Sequence, residues 1–169
     1  MKSKTPSESR TVQTEIVLPN DTNNLNNLMG GTLLHWMDIV AAVSAKRHCG
    51  KSCVTAAVNN VSFGHPIPRA SIVTLEANIS RSFSSSMEII IDVWTENVQS
   101  GDKTKCNEAI YTFVAVDNKG RPSSVPQVKT ETKKEKERYN AALRRRQLSL
   151  ILAGKMKPKD ATELKSLFI

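Results

Sequence analysis

The stretch Gly30-Gly31-Thr32-Leu33-Leu34-His35-Trp36-Met37-Asp38-Ile39-Val40-Ala41-Ala42-Val43-Ser44-Ala45 decides the architecture. Leu33, Met37, Val40, Ala41 and Ser44 recur at intervals of three and four, and His48 extends the stripe. Leu34, Ala42 and Ala45 widen it. This is the period of an α-helix, and so wide an apolar surface predicts burial on most sides. The pattern runs from about Gly31 to His48, about 27 Å at 1.5 Å per residue, the length of a central helix. Asp38 stands inside it, with Leu34, Ala41, Ala42 and Ala45 along its own stripe. A carboxylate among small apolar side chains loses hydration, which costs free energy unless something pairs with it or uses it. A local hydrogen bond, or a place at the helix edge, would also satisfy it. The Gly-Gly entry two turns upstream and the Asn-rich loop before it favour a functional carboxylate.

Around this helix the chain reads as strands. Residues 10–18 are β-branched and partly alternating, and predict a first strand. Pro19 to Met29 is a polar loop carrying Asn20, Asn23, Asn24, Asn26 and Asn27. Four strands are expected after the helix, at Ser52–Phe63, Ser71–Ser82, Ser86–Asn97 and Thr104–Asp117. In the third, Met87, Ile89, Ile91 and Val93 alternate with Glu88, Ile90 and Asp92; the fourth is apolar on both faces. The short loops between the last three suit antiparallel hairpins. Glu131–Ala153 predicts an amphipathic helix anchored by Leu143, Leu148, Ile151 and Leu152, and Pro158–Phe168 a last short one. One strand, a long buried helix and then an antiparallel sheet is an α+β arrangement. A sheet wrapped around one central helix, the hotdog fold, satisfies this order with short connections.

The totals bound the function. A chain of 169 residues is one domain by size. It divides into a disordered lead at 1–9, a hotdog domain at 10–128 and a basic helical extension at 129–169. No apolar run reaches the ~18–20 residues of a membrane span, and no secretory signal is visible, so a cytoplasmic protein is expected. Cys49, Cys53 and Cys106 are odd in number and form no Cys-x-x-Cys pair, which suits free thiols in a reducing compartment. His35, His48 and His65 do not stand at metal-ligand spacing with them, so no metal is expected. The whole net charge of +8 lies in residues 129–159, which hold eleven Lys and Arg against three Asp and Glu. Such a segment binds phosphates, or is simply the solvated face of a helix. With 5% aromatics and no aromatic–basic interleaving, nucleic acid is not the expected partner.

The run from Asp21 to Asp38, with an Asn before the Gly-Gly and an Asp eight residues beyond its first Gly, resembles the acyl-CoA thioesterases of the hotdog superfamily. Val54-Thr55-Ala56-Ala57-Val58 and Phe83-Ser84-Ser85-Ser86-Met87-Glu88 are similar to the family's second and fourth strands. Asn140-Ala141-Ala142-Leu143-Arg144-Arg145-Arg146 resembles a basic helix of its cytosolic, animal-type members. The likeness covers residues 10–152. It implies a catalytic pair at Asn23 and Asp38, fifteen positions apart and contributed by different hotdog units. It implies CoA contacts at Ala56, Ala57 and Val58, at Ser85, Ser86 and Met87, and at Arg146. A homo-oligomer follows, a dimer at least and a trimer of dimers by the family's habit. No cofactor is implied, because CoA is part of the substrate and product. The chain departs from the family pattern at Asn26 and Asn27, where a Gly and an acidic residue are common, and at Ser84, where many members carry Arg.

The residues support that chemistry on their own terms. Backbone N–H groups at Gly30, Gly31 and Thr32 open a helix whose dipole favours a developing oxyanion. Asp38, desolvated, could act as general base or as nucleophile, with Asn23 holding the water or the carbonyl. Asn-rich loops are also ordinary turn formers. No Gly-x-Ser-x-Gly elbow is present, so a serine hydrolase lacks support. A hotdog that binds acyl-CoA without hydrolysing it is the alternative.

Overall fold

The computed structural model describes residues 1–168. Its five strands are β1 (Thr11–Ile16), β2 (Ser52–Asn59), β3 (Ile72–Ser82), β4 (Ser86–Glu96) and β5 (Lys103–Val116). They form one antiparallel sheet in the order β1-β3-β4-β5-β2, which leaves β1 and β2 at its edges. Its helices are α1 (Pro6–Ser9), α2 (Gly30–Cys49), α3 (Lys133–Leu152) and α4 (Thr162–Lys165).

The long helix α2 fills the inner face of the sheet. Its expected stripe is buried at every position named, Leu33, Met37, Val40, Ala41, Ser44 and His48. These side chains meet Val73, Leu75, Ala77 and Ile79 of β3, the odd-numbered apolar residues of β4, and Tyr111, Phe113 and Ala115 of β5. Gly50, at φ +66°, stops the helix in the left-handed conformation and returns its N–H to the Lys46 carbonyl at 2.8 Å.

The outer face is different. Glu88, Ile90 and Asp92 point there from β4 and are buried all the same, because α3 lies across them. Arg145 meets Glu88 with two bonds, at 2.7 and 3.0 Å, and Arg138 meets Asp92 at 2.8 Å. Thr132 and Glu135 cap α3 reciprocally, at 3.2 and 2.9 Å, which sets its start at Lys133 rather than Glu131.

Three expectations are corrected. Of the residues named as anchors of α3, Leu148 and Leu152 are exposed and Leu143 and Ile151 are half-buried; its buried residues are Ala142 and Gln147. Ion pairs do the docking, since the sheet presents carboxylates there. Nor is the lead at 1–9 disordered. Glu8 accepts the Thr5 N–H at 2.7 Å to cap α1, and Lys4 pairs its backbone with Gln127 and Lys129 at 2.9 Å each. The expected final helix is broken into a 3₁₀ turn at Pro158–Asp160 and the short α4.

Candidate active site

Asp38 sits midway along α2, where the helix passes β2 and β5. The side chain is half-buried, at the rim of the core and not enclosed by it as its helical stripe had suggested. Its Oδ1 accepts the hydroxyl of Thr55 at 2.7 Å. Thr55 lies on β2, opposite Phe113 of β5, and faces α2. Immediately after it the ladder slips by one residue, so that Ala56 is extra and Ala57 pairs with Thr112. Such a bulge bends and re-aims an edge strand beside a site. On the same side, Tyr111 donates its hydroxyl to the Leu34 carbonyl at 3.1 Å. Burial pushes the Tyr111 hydroxyl up to about 12 and the charge of Asp38 adds to this, so it remains a proton donor. The sequence pointed to Asp38 but not to Thr55. The only signal for Thr55 was its place directly before the Ala56-Ala57-Val58 segment.

The start of α2 has no side-chain cap, because Met29 occupies the N-cap. The amides of Gly30, Gly31 and Thr32 find no acceptor among the described residues, which leaves them as donors at the positive end of the helix. The two glycines differ. A Cβ at Gly30 would approach the Phe63 ring to 3.3 Å, whereas one at Gly31 would meet nothing within 4 Å. Packing within the chain accounts for Gly30 but not for Gly31, whose bareness keeps the helix entry open.

Asn23 lies in the loop before α2. Its Oδ1 accepts the amides of Leu25 at 2.9 Å and Asn27 at 3.2 Å, and Asn26 takes φ +56° within the same turn. The turn therefore uses the carbonyl end of Asn23, and the NH₂ end makes no hydrogen bond among the described residues. Asn23 and Asp38 of one chain are not bonded to each other.

The two segments expected to touch CoA lie on the strands either side of β5 but out of row, because Ala57 and Val58 pair with Thr112 and Tyr111 whereas Ser86 and Met87 pair with Val114 and Phe113. Val114 of β5 pairs with Val54 on one side and Ser86 on the other, and Phe113 with Thr55 and Met87. At about 4.8 Å per strand, β2 and β4 stand about 10 Å apart across β5. Ser86 meets the expected arginine, with Arg146 Nη1 at 3.4 Å from its hydroxyl, a long contact. The same guanidinium lies 4.7 Å from the Phe83 ring centre. Met87, however, is wholly buried, main chain included, between β3 and β5, so the expected CoA contact there is corrected: the residue offers a ligand no surface. Ser85 uses its carbonyl to accept the Ala115 amide at 2.9 Å. Of the arginines of α3, Arg138 and Arg145 are held by carboxylates; Arg146 touches none among the described residues.

Beside Asp38 runs an apolar strip. Ile39 and Val43 on α2, Val58 on β2, and Phe63 are all exposed there, while Val54 is exposed on the opposite face of β2. The strip includes the free backbone edge of β2. His35 and His65 are exposed and make no side-chain hydrogen bond among the described residues.

Residues 25–101 match the model of the thioesterase superfamily. An acyl-CoA thioester hydrolase of Bacillus subtilis is 40% identical over 138 residues, 82% of this chain and 80% of that protein. A hexameric acyl-CoA thioesterase superposes with a TM-score of 0.87 at 35% identity, over 90% of this chain and 98% of the other. The acyl-CoA hydrolase of Staphylococcus aureus, solved with butyryl-CoA, CoA and CoA disulfide, gives 0.85 at 33% identity, over 90% and 95%. In that hydrolase an aspartate, an asparagine and a threonine have each been replaced by alanine. Its asparagine stands fifteen positions before the aspartate and its threonine seventeen after, the spacing of Asn23, Asp38 and Thr55 in this chain.

Proposed function

The chain belongs to the thioesterase superfamily, and on that premise we propose that it hydrolyses acyl-CoA to a free acid and CoA at a site shared between two copies. The observation that carries this reading is the Asp38 carboxylate, held by the Thr55 hydroxyl at the rim of an exposed apolar strip. Thr55 occupies one oxygen of the carboxylate and orients the other. That second oxygen takes a proton from water as the water attacks the thioester carbonyl, or attacks the carbonyl itself.

A distance argument supports two chains. Gly31 and Asp38 are seven residues apart on one helix, about 10 Å at 1.5 Å per residue. An oxyanion donor and a base must each come within about 3 Å of the groups at one carbonyl. One copy of α2 is too long between these points to serve both. Two copies related by a two-fold axis through the strip set the N-terminus of one α2 against the middle of the other. The axis also pairs the free edge of β2 with its counterpart and covers Val58, Ile39 and Val43. In this arrangement the NH₂ of Asn23 and the amides of Gly31 and Thr32 from one chain address the carbonyl, and Asp38 and Thr55 from the other address the water. Ser85, Ser86, Ala56, Ala57 and Val58 line the CoA path, with Arg146 at a phosphate. A hexamer of three such dimers, in the cytoplasm, completes the proposal.

Release of thiol from acetyl- to palmitoyl-CoA tests the activity. Turnover on part of this series is expected; stoichiometric CoA binding with no turnover would convert the reading to a binding protein. Mixing refolded Asn23→Ala and Asp38→Ala chains tests the sharing. Activity that neither variant has alone should return, and an inert mixture of properly assembled chains would confine the site to one chain.

A further inference from the structure

The end of α2 brings two thiols together. Cys49 closes the helix, Gly50 turns the chain back in the left-handed conformation, and Cys53 returns on β2 with its side chain over Cys49. Their sulfurs stand 3.1 Å apart. Both also lie close to the Lys51 carbonyl, at 3.6 and 3.5 Å, so the turn itself holds them face to face. Cys49 is buried, Cys53 is half-buried, and neither sulfur is hydrogen-bonded to Asn23, Asp38 or Thr55 among the described residues. Cys106 is the internal contrast: it is buried on β5, donates to the Val93 carbonyl of β4 at 3.4 Å and has no second sulfur bonded to it among the described residues.

We propose that Cys49 and Cys53 form a reversible dithiol–disulfide pair that hydroperoxides oxidise, fastening the end of α2 to the start of β2. A disulfide requires sulfurs about 2.05 Å apart, so they need to close by only about 1 Å. The first step falls to Cys49. The Cys53 thiol hydrogen-bonded to it holds Cys49 down to about 6, while Cys53 is pushed well up and keeps its proton. The Cys49 sulfur attacks the terminal oxygen of the hydroperoxide and the O–O bond breaks. The alcohol leaves with the proton that Cys49 gave up, and Cys49 becomes a sulfenic acid. The Cys53 sulfur then attacks the Cys49 sulfur, the S–O bond breaks, and hydroxide departs as water with the Cys53 proton. Two thiols and one hydroperoxide give one disulfide, one alcohol and one water. An external dithiol reverses the reaction by thiol exchange.

Hydrogen peroxide serves as the probe on the folded full-length chain. After oxidation and quenching, the protein is unfolded, its remaining thiols are blocked with N-ethylmaleimide, and its mass and peptides are read. The expected product has lost two hydrogens and gained one blocking group, on Cys106, with the bridge inside the peptide spanning 49–53. Dithiothreitol before blocking should restore three groups. Cys49→Ser and Cys53→Ser, shown folded by circular dichroism, should lose no hydrogens. Three blocked thiols after excess peroxide, oxidation of Cys106 at the same rate as the pair, or a disulfide between chains on a non-reducing gel would each overturn the proposal. None of these readouts depends on thioester hydrolysis.

Discussion

Helices α2 and α3 are each twenty residues long and lie against opposite faces of the same sheet, yet different forces hold them. Nine residues of α2 are buried, almost all of them apolar; α3 buries Ala142 and Gln147 and docks through Arg138 and Arg145. Burial of a stripe fixes α2 along its whole length, because each large apolar side chain, such as Leu33, Met37 or Val40, contributes about 1.5–3 kcal/mol and leaves no alternative register. That rigidity is what a carboxylate needs if it is to meet a substrate atom in one geometry. Helix α3 is pinned by Arg138 and Arg145 and by Arg81 of β3, which donates to the Tyr139 carbonyl at 3.1 Å, so two of its basic residues serve the joint and not a ligand. A charge-rich segment is therefore weak evidence for a ligand until its partners are known.

The sharpest way to break this contrast is Asp38→Ala. It should cut the rate of thiol release by about 100- to 10,000-fold while the thermal midpoint hardly moves, since a general base contributes at that level. A variant that keeps full rate while folded would deny α2 its chemical role. Arg145→Met should do the reverse. It leaves Glu88 buried with only the hydroxyl of Ser80, and breaking such a pair costs about 3 kcal/mol, read as a lower urea midpoint. The kcat of the folded fraction should be unchanged; a drop in kcat with stability intact would place Arg145 in the site instead.

Arg146→Ala probes the one arginine that crosses between the two roles. Loss of a phosphate contact should raise KM about tenfold with kcat little changed, and reduce the salt dependence of CoA binding. Equal KM and equal salt dependence would return Arg146 to the joint. The smallest effect is in the acid limb of stability. Burial alone would raise the Asp92 carboxyl, but Lys105 and Arg138 outweigh it and hold the group below its ordinary value. The stabilisation is complete above the unfolded value of about 3.9 and is lost as the pH falls through the lower folded value. Arg138→Met should flatten the fall of the urea midpoint below about pH 4, where the unfolded carboxyl takes up its proton. An unchanged slope would mean that Lys105 alone sets the titration.

The sequence carried the order of elements because the inner face obeys simple periods. The alternation in β4 and the 3.6-residue stripe of α2 are both read directly from apolar positions. It carried Asp38 for the same reason, as a charge where the stripe predicts none. It did not reveal Thr55, because that contact depends on the register of β2 against β5 and on the bulge at Ala56, which no local pattern encodes. The joint at α3 was misread for a related reason. Leu148 and Leu152 look like anchors to anyone who does not know that the strand beneath presents Glu88 and Asp92. In the lead, Thr5 and Glu8 formed a capping box that composition alone obscured.

The carboxylates of β4 also set a timetable. Glu88 and Asp92 precede the arginines that cover them by 57 and 46 residues, whereas α2 is made before the strands that close on it. A chain emerging from its N-terminus can thus complete the inner core while the outer face still waits for its helix. During that interval the waiting face displays hydrated acids, which repel the same face of another nascent chain and discourage sheets from stacking. The late arrival of α3 converts that protection into an ion-paired seal.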